Sequence, residues 1–215
     1  MSNAGISDSI PNIFWDLSSS LVELNLSMNQ IHGKLPNLSS ENSSYVIIDL
    51  SSTFPYNNLS GKLPRSLGYL MNIISLRLHD NSFSGEFPYL ENCTELVVVD
   101  LGANKLSGKI PASAWIGQSL RNLLMTKLNS LNLSRNNLWG KLPENFGQLK
   151  TLESLSGRIP SSFSSLNFLS VLDLSYNNLS GRIPLSAQLP SFNSSQYMGN
   201  LGLCGPPVTQ KCPGD

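Results

Sequence analysis

The chain has 215 residues, which allows one or two domains. Its fourteen Lys and Arg balance its fourteen Asp and Glu, so there is no global basic field to attract nucleic acid and no acidic tail. Apolar residues make up 40%, enough to form a core, whereas charged residues are sparse at 13%.

The N-terminus reads Met1-Ser2-Asn3-Ala4-Gly5-Ile6-Ser7-Asp8. It has no basic start and no continuous apolar run, so it is not a secretory leader. No apolar stretch reaches the roughly 18 residues that a membrane helix needs. Residues 1–20 read as an incomplete leading repeat.

From residue 21 a pattern recurs. Residues 73–88 and 169–184 both read LxxLxLxxNxxSGx(I/F)P, with Ile73 at the first position of one. The pattern returns at 21–36, 96–111 and 128–143, and with an interruption at 45–64. Each position has a physical role. The LxL alternation has period two, so both apolar side chains point to one face of a short strand and the residues between them point outward. Asn29, Asn57, Asn81, Asn104, Asn136 and Asn177 follow the strand, where the chain turns inward. A stack of such amides can donate and accept, and so satisfy turn backbone that has no ladder partner. Proline fixes φ and removes a donor at the edge of the coil. One coil cannot bury its own Leu face, and stacking makes the core continuous.

Three places break the period: residues 52–55, 112–127 and 152–160. Pro36 and Pro64 are 28 residues apart, with Ser52-Thr53-Phe54-Pro55 as the excess. Pro111 and Pro143 are 32 apart, and Pro143 and Pro160 only 17. In that last interval Leu152-Glu153-Ser154-Leu155 runs directly into Ser156-Gly157, so a strand Leu and a ladder Asn are missing. Residues 185–215 read as a C-terminal cap. Cys204 and Cys212 suit a short disulfide loop, and Cys93, in an apolar slot of its repeat, suits a buried thiol; a metal site would want more soft ligands.

No metalloprotease, nucleophile-elbow, phosphate-loop or kinase signature is present, so a non-catalytic chain without cofactor or metal is expected. His32 is placed in a convex-side turn. Strand alternation assigns Arg77, His79, Asp80, Asp100, Asn132, Arg135, Asp173 and Tyr176 to the concave face. That mixture of both charge signs, amide and aromatic suits a protein or peptide ligand rather than nucleic acid, which calls for a basic stripe of one sign. Arg135 and Tyr176 are the preferred anchors, because Arg and Tyr are enriched among interface hot spots. Glycosylation sequons stand at Asn25, Asn37, Asn42, Asn58, Asn92, Asn132, Asn178 and Asn193.

The LxxLxLxxNxLSGxIP form resembles the plant extracellular leucine-rich repeat. More narrowly, the chain resembles plant receptor-like proteins of the class that includes the fungal-xylanase elicitor receptors. That match lies in Asn3–Asp8 with Phe14-Trp15-Asp16-Leu17, in residues 128–143, and in residues 167–215. The last stretch ends in Leu203-Cys204-Gly205-Pro206-Pro207 and Lys211-Cys212-Pro213, similar to the family's C-terminal cap. The expected fold is a leucine-rich-repeat solenoid, a horseshoe arc with short parallel concave strands and irregular or 3-10 convex segments. The resemblance implies an ectodomain on the extracellular side of the plasma membrane. It would bind a protein or peptide ligand in defence or development and signal through a partner receptor kinase. The alternatives are an inhibitor of a secreted cell-wall hydrolase such as a polygalacturonase, and a non-functional truncated product. The family's N-terminal cysteine cap and its non-repeat island are not visible in the sequence.

Overall fold

The computed structural model describes residues 1–18, 20–38, 44–52, 57–88, 90, 92–110, 127–142, 170–185 and 189–214. The irregular stretches at 112–126 and 152–160, the inserted residues 53–55 and the Asn42 sequon lie outside them.

The first apolar residue of each LxL triplet is the centre of a three-residue strand, and the second follows the strand directly. These strands are β1 (Glu23–Asn25), β3 (Ile47–Asp49), β5 (Ser75–Arg77), β7 (Val98–Asp100), β9 (Ser130–Asn132) and β11 (Val171–Asp173). They form one parallel sheet in that order, with equivalent residues in register: Leu24, Ile48, Leu76, Val99, Leu131 and Leu172 are successive partners. These six residues are at most 3% exposed, as are the second apolar residues Leu26, Leu50, Leu78, Leu101, Leu133 and Leu174. The apolar ladder is therefore continuous, as stacked repeats require.

A second parallel sheet, which the sequence reading did not anticipate, lines the other side of the core. Its strands are β2 (His32–Lys34), β4 (Asn58–Lys62), β6 (Ser82–Gly85), β8 (Lys105–Lys109), β10 (Asn137–Gly140), β12 (Asn178–Arg182) and β13 (Gly202–Cys204). His32 thus stands in a strand and not in a turn. The convex segments are not all irregular, because each ladder Asn holds the LSGx stretch of the preceding coil at a fixed height. Its Oδ1 accepts the N–H of the central apolar residue: Asn57 from Ile31, Asn81 from Leu59, Asn104 from Phe83, Asn136 from Leu106 and Asn177 from Leu138. The glycine two residues on has φ between +83° and +102° in every one of these strands, a conformation that costs an L side chain strain.

The same asparagines turn their amide nitrogens inward. Asn104 donates to the carbonyls of Leu78, Leu101 and Gly102, and Asn136 to those of Leu101, Leu133 and Ser134. The insertion after Leu50 does not break this ladder. Ser52 N still donates to His79 O, and Asn57 still donates to Leu26 O and Leu50 O. In the first sheet β9 and β11 are direct neighbours although residues 133–170 separate them in sequence.

The ends are covered differently. Residues 1–11 stack as half a coil: Ala4 N and Ile6 N donate to Asn29 Oδ1. A short helix, α1 (Asn12–Ser18), follows and buries Trp15, with Phe14 edge-on to its ring at 5.4 Å. At the C-terminus Cys204 and Cys212 form a disulfide across eight residues. Cys93 is fully buried with its S–H directed at Leu67 O, 3.3 Å away, and desolvation pushes the thiol pKa to about 12. Among the described residues no helix is long and apolar enough to cross a membrane.

Candidate binding face

The outward column of the first sheet reads Asn25, Asp49, Arg77, Asp100, Asn132, Asp173, one residue per strand. Most of these side chains have a structural duty. Asn25 and Asp49 each accept from the backbone N–H and the hydroxyl of the serine two residues on, Ser27 and Ser51. Asn132 does the same with Ser134, Asp173 accepts from Ser175 N, and Asp100 from Gly102 N. An Asx turn therefore closes each strand, and one oxygen of each side chain is occupied. Arg77 is the exception. It is exposed and stands between Asp49 and Asp100 on the adjacent strands, where the side-chain spacing favours a charge pattern of alternating sign.

The Arg77 coil also lacks the usual serine after its second Leu and has His79 there. His79 Nδ1 lies 3.0 Å from Asp100 Oδ2, a charge pairing slightly off the line of a well-formed hydrogen bond, and Nε2 lies 4.0 Å from Asp80 Oδ2. The Asp100 carboxylate raises the imidazole pKa above its ordinary 6.5, against partial burial that pulls it down; Asp80 and Asp49 add to the rise. Asp49 shares the column of Asp100 and Asp173, yet the sequence reading left it off the face.

Strand alternation does not extend to Asp80, Arg135 and Tyr176. They follow the strands, each just before its ladder Asn, and all have φ near +52°. The chain turns inward there, and the left-handed backbone throws these side chains to the rim. Met28 and Ala103 occupy the same position in their coils. At the C-terminal end of this rim Arg135 Cζ lies 5.1 Å over the Tyr176 ring, a cation–π pair on the surface. The eight expected residues thus fall into two adjacent rows. Arg77, Asp100, Asn132 and Asp173 are on strands, with His79 next to them, and Asp80, Arg135 and Tyr176 are on the rim.

Asn200, assigned by sequence only to the cap, is a further ladder residue. Its Oδ1 accepts from Leu179 N, and its nitrogen donates to Leu174 O and Tyr197 O. The signal was its place three residues after the buried Tyr197; no LxL triplet precedes it to give the motif away. Of the sequons, Asn37, Asn58, Asn92, Asn178 and Asn193 are exposed, whereas Asn25 and Asn132 are half-buried in their Asx turns. Among the described residues no group of three His, Cys, Asp or Glu side chains could hold a metal.

The described face offers charged, amide and aromatic groups on a rigid, regularly spaced sheet. A leucine-rich-repeat family model matches residues 20–41, 127–149 and 168–188. The chain is 32% identical over 210 residues to the receptor-like protein EIX2 of Solanum lycopersicum, covering 94% of this chain and 20% of that protein. It is 36% identical over 200 residues to receptor-like protein 35 of Arabidopsis thaliana, covering 85% of this chain and 19% of that one. The fold matches the Arabidopsis receptor kinase HAESA, solved with the peptide hormone IDA and the co-receptor SERK1. The TM-score is 0.67 at 35% identity, over 95% of this chain and 33% of that one. The chain is a leucine-rich-repeat protein related to the plant receptor-like proteins, and it spans about a fifth of the length of those it matches.

Proposed function

We propose that the chain is a non-catalytic recognition segment of a plant receptor ectodomain. It binds a protein or peptide along the first sheet and its rim, on the extracellular side of the plasma membrane. Signalling, in defence or development, then passes through a partner receptor kinase. The observation behind this reading is the pairing of two rows. One is anchored by Asx turns and holds Arg77 and His79 between carboxylates. The other presents Arg135 stacked over the half-exposed Tyr176 ring. Such preorganised Arg and Tyr side chains bind with little ordering cost. The Cys204–Cys212 disulfide fits an oxidising, extracellular setting.

The test replaces Arg77, Arg135 and Tyr176 together by Ala in a receptor-length chain that contains these repeats. Loss of ligand binding with unchanged unfolding behaviour supports the reading. Full ligand and co-receptor binding by the folded triple variant places the site elsewhere. Inhibition of a secreted polygalacturonase by the present chain, abolished by the same substitutions, would favour the hydrolase-inhibitor reading.

A further inference from the structure

The second sheet has its own charge pattern. The residue after each SG or equivalent pair is Lys34, Lys62, Glu86, Lys109, Lys141 and Arg182 in successive described coils, and all six are exposed. Five cations and one anion give this row a net charge of +4 (5 − 1). The whole chain has zero net charge, so everything outside the row sums to −4. The glycines explain why the row is straight. A methyl built on Gly61 would stand 3.1 Å from Lys34 Cγ, on Gly85 3.0 Å from Lys62 Cγ, on Gly140 3.1 Å from Lys109 Cγ and on Gly181 3.1 Å from Lys141 Cγ. Each stem therefore lies on the glycine of the next coil, which leaves the ammonium group in water and fixes the direction of the chain behind it. These glycines are needed for space as well as for their positive φ.

Adjacent strands in this sheet are offset by two residues per coil, as Lys34 pairs with Ser60 and Lys109 with Trp139. Strand spacing and rise together put successive members of the row about 8 Å apart. Among the described residues no ion pair joins Lys34, Lys62, Lys109 or Lys141 to a carboxylate. Beside the row Trp139 is 46% exposed, with Lys109 Nζ 5.2 Å from its ring centroid.

We propose that this row is a docking track for a linear acidic polysaccharide, with uronate carboxylates on the cations and a sugar ring on Trp139. The row follows one diagonal line across the sheet, with Lys105 the one further Lys or Arg on its described strands, which fits a single polymer chain better than the two-dimensional charge of an anionic membrane. A nucleic-acid track would stack successive bases on successive aromatics, and here one aromatic serves the row. The disulfide fits an oxidising, extracellular compartment, away from the nucleic acids inside the cell. The track is separate from the protein-binding face, so either can fail without the other.

The test is binding of the full chain to de-esterified polygalacturonate at low salt, with methyl-esterified polymer, single-stranded DNA and phosphatidylserine vesicles as comparison arms. Asn58→Gln and Asn178→Gln in the parent protein remove the sequons that flank the row. Lys109→Gln with Lys141→Gln should weaken polygalacturonate binding about tenfold, and added salt should weaken it further. Lys109→Arg with Lys141→Arg should retain it. Glu86→Lys joins the two halves of the row and should tighten binding, an effect that a purely structural role for these stems would not produce. The proposal is overturned if the Gln pair binds like the parent, if Glu86→Lys has no effect, or if esterified polymer binds equally well. Tighter binding to DNA or to vesicles than to polygalacturonate overturns it too.

Discussion

Asn177 donates its side-chain amide to the carbonyl of Leu133, 44 residues earlier, at 2.9 Å. The corresponding bond from Asn104 to Leu78 spans 26 residues. The ladder thus closes across the least regular part of the sequence as tightly as across a regular coil. Asn177 also donates to Leu174 O and Ser175 O and accepts from Leu138 N. Asn177→Ala would leave the buried Leu138 N–H without its acceptor, at about 1–3 kcal/mol for a group that water cannot reach, whereas Leu133 O, Leu174 O and Ser175 O keep Asn136, Asn200 and Arg135 N as donors. The expected result is a lower denaturation midpoint, and faster hydrogen exchange at Leu138 N than at Leu106 N. Equal exchange at the two amides would show that Asn177 does not hold this junction.

Leu101 is fully buried between Leu78 and Leu133 in the continuous apolar ladder. Because the stack cannot collapse sideways without breaking strand register, Leu101→Ala should destabilise the chain by roughly 2–5 kcal/mol. Chemical denaturation measures it. A loss below about 1 kcal/mol would contradict a close-packed interior at this coil.

The motif-bearing half of each coil could be read directly, because its side-chain period and its ladder Asn follow from local chemistry. Leu76 and Leu78, or Val99 and Leu101, have only one way to be buried together. The second sheet was harder to see. His32-Gly33-Lys34 and Ser60-Gly61-Lys62 lack the alternation of a half-buried strand, and they pair only because the asparagine of the next coil holds them. The rim was hidden for a related reason. Nothing in Arg135 or Tyr176 announces a positive φ, which follows from the turn the coil must make. Asn200 went unassigned because the cap replaces the LxL triplet with Gln196-Tyr197-Met198, while keeping its backbone bonds to Leu174 and Tyr176.

Gly102 stands where four other described coils have serine and the Arg77 coil has His79, and the cause is a neighbour. A methyl on Gly102 would lie 2.6 Å from Asn132 Nδ2 and 2.8 Å from its Oδ1. Gly102→Ala must therefore displace the Asn132 side chain and break its Asx turn with Ser134. We expect a loss of about 1–3 kcal/mol from overpacking, and a smaller added loss when Asn132→Gly is already present. Additive effects of the two substitutions would disprove the contact. The same crowding bears on glycosylation, because Asn132 Nδ2 is the atom that a glycan would extend. In a secreted form, glycopeptide mass spectrometry should find Asn193 and Asn92 occupied and Asn132 empty. Equal occupancy at Asn132 would mean that this part of the sheet is open to a glycan.

The His79–Asp100 pair makes stability depend on pH in a defined direction. The folded pKa of His79 lies above 6.5, chiefly because the Asp100 carboxylate favours the imidazolium. The unfolded chain has the ordinary value near 6.5. Folding then binds the proton more tightly, so the pair's contribution is fully present below about pH 6.5 and is lost as pH rises through the folded value. Both side chains are about a quarter exposed, at 27% and 22%, so solvent screening keeps the effect modest. Asp100→Asn preserves an oxygen to accept from Gly102 N while removing the charge. It should lower the His79 pKa in an NMR titration, and it should reduce thermal stability more at about pH 6 than at about pH 9. Asp80→Asn, whose carboxylate lies farther off at 4.0 Å, should shift the titration less. If Asp100→Asn leaves the His79 titration in place, the imidazolium is held by some other group, and the pH dependence assigned to this coil is wrong.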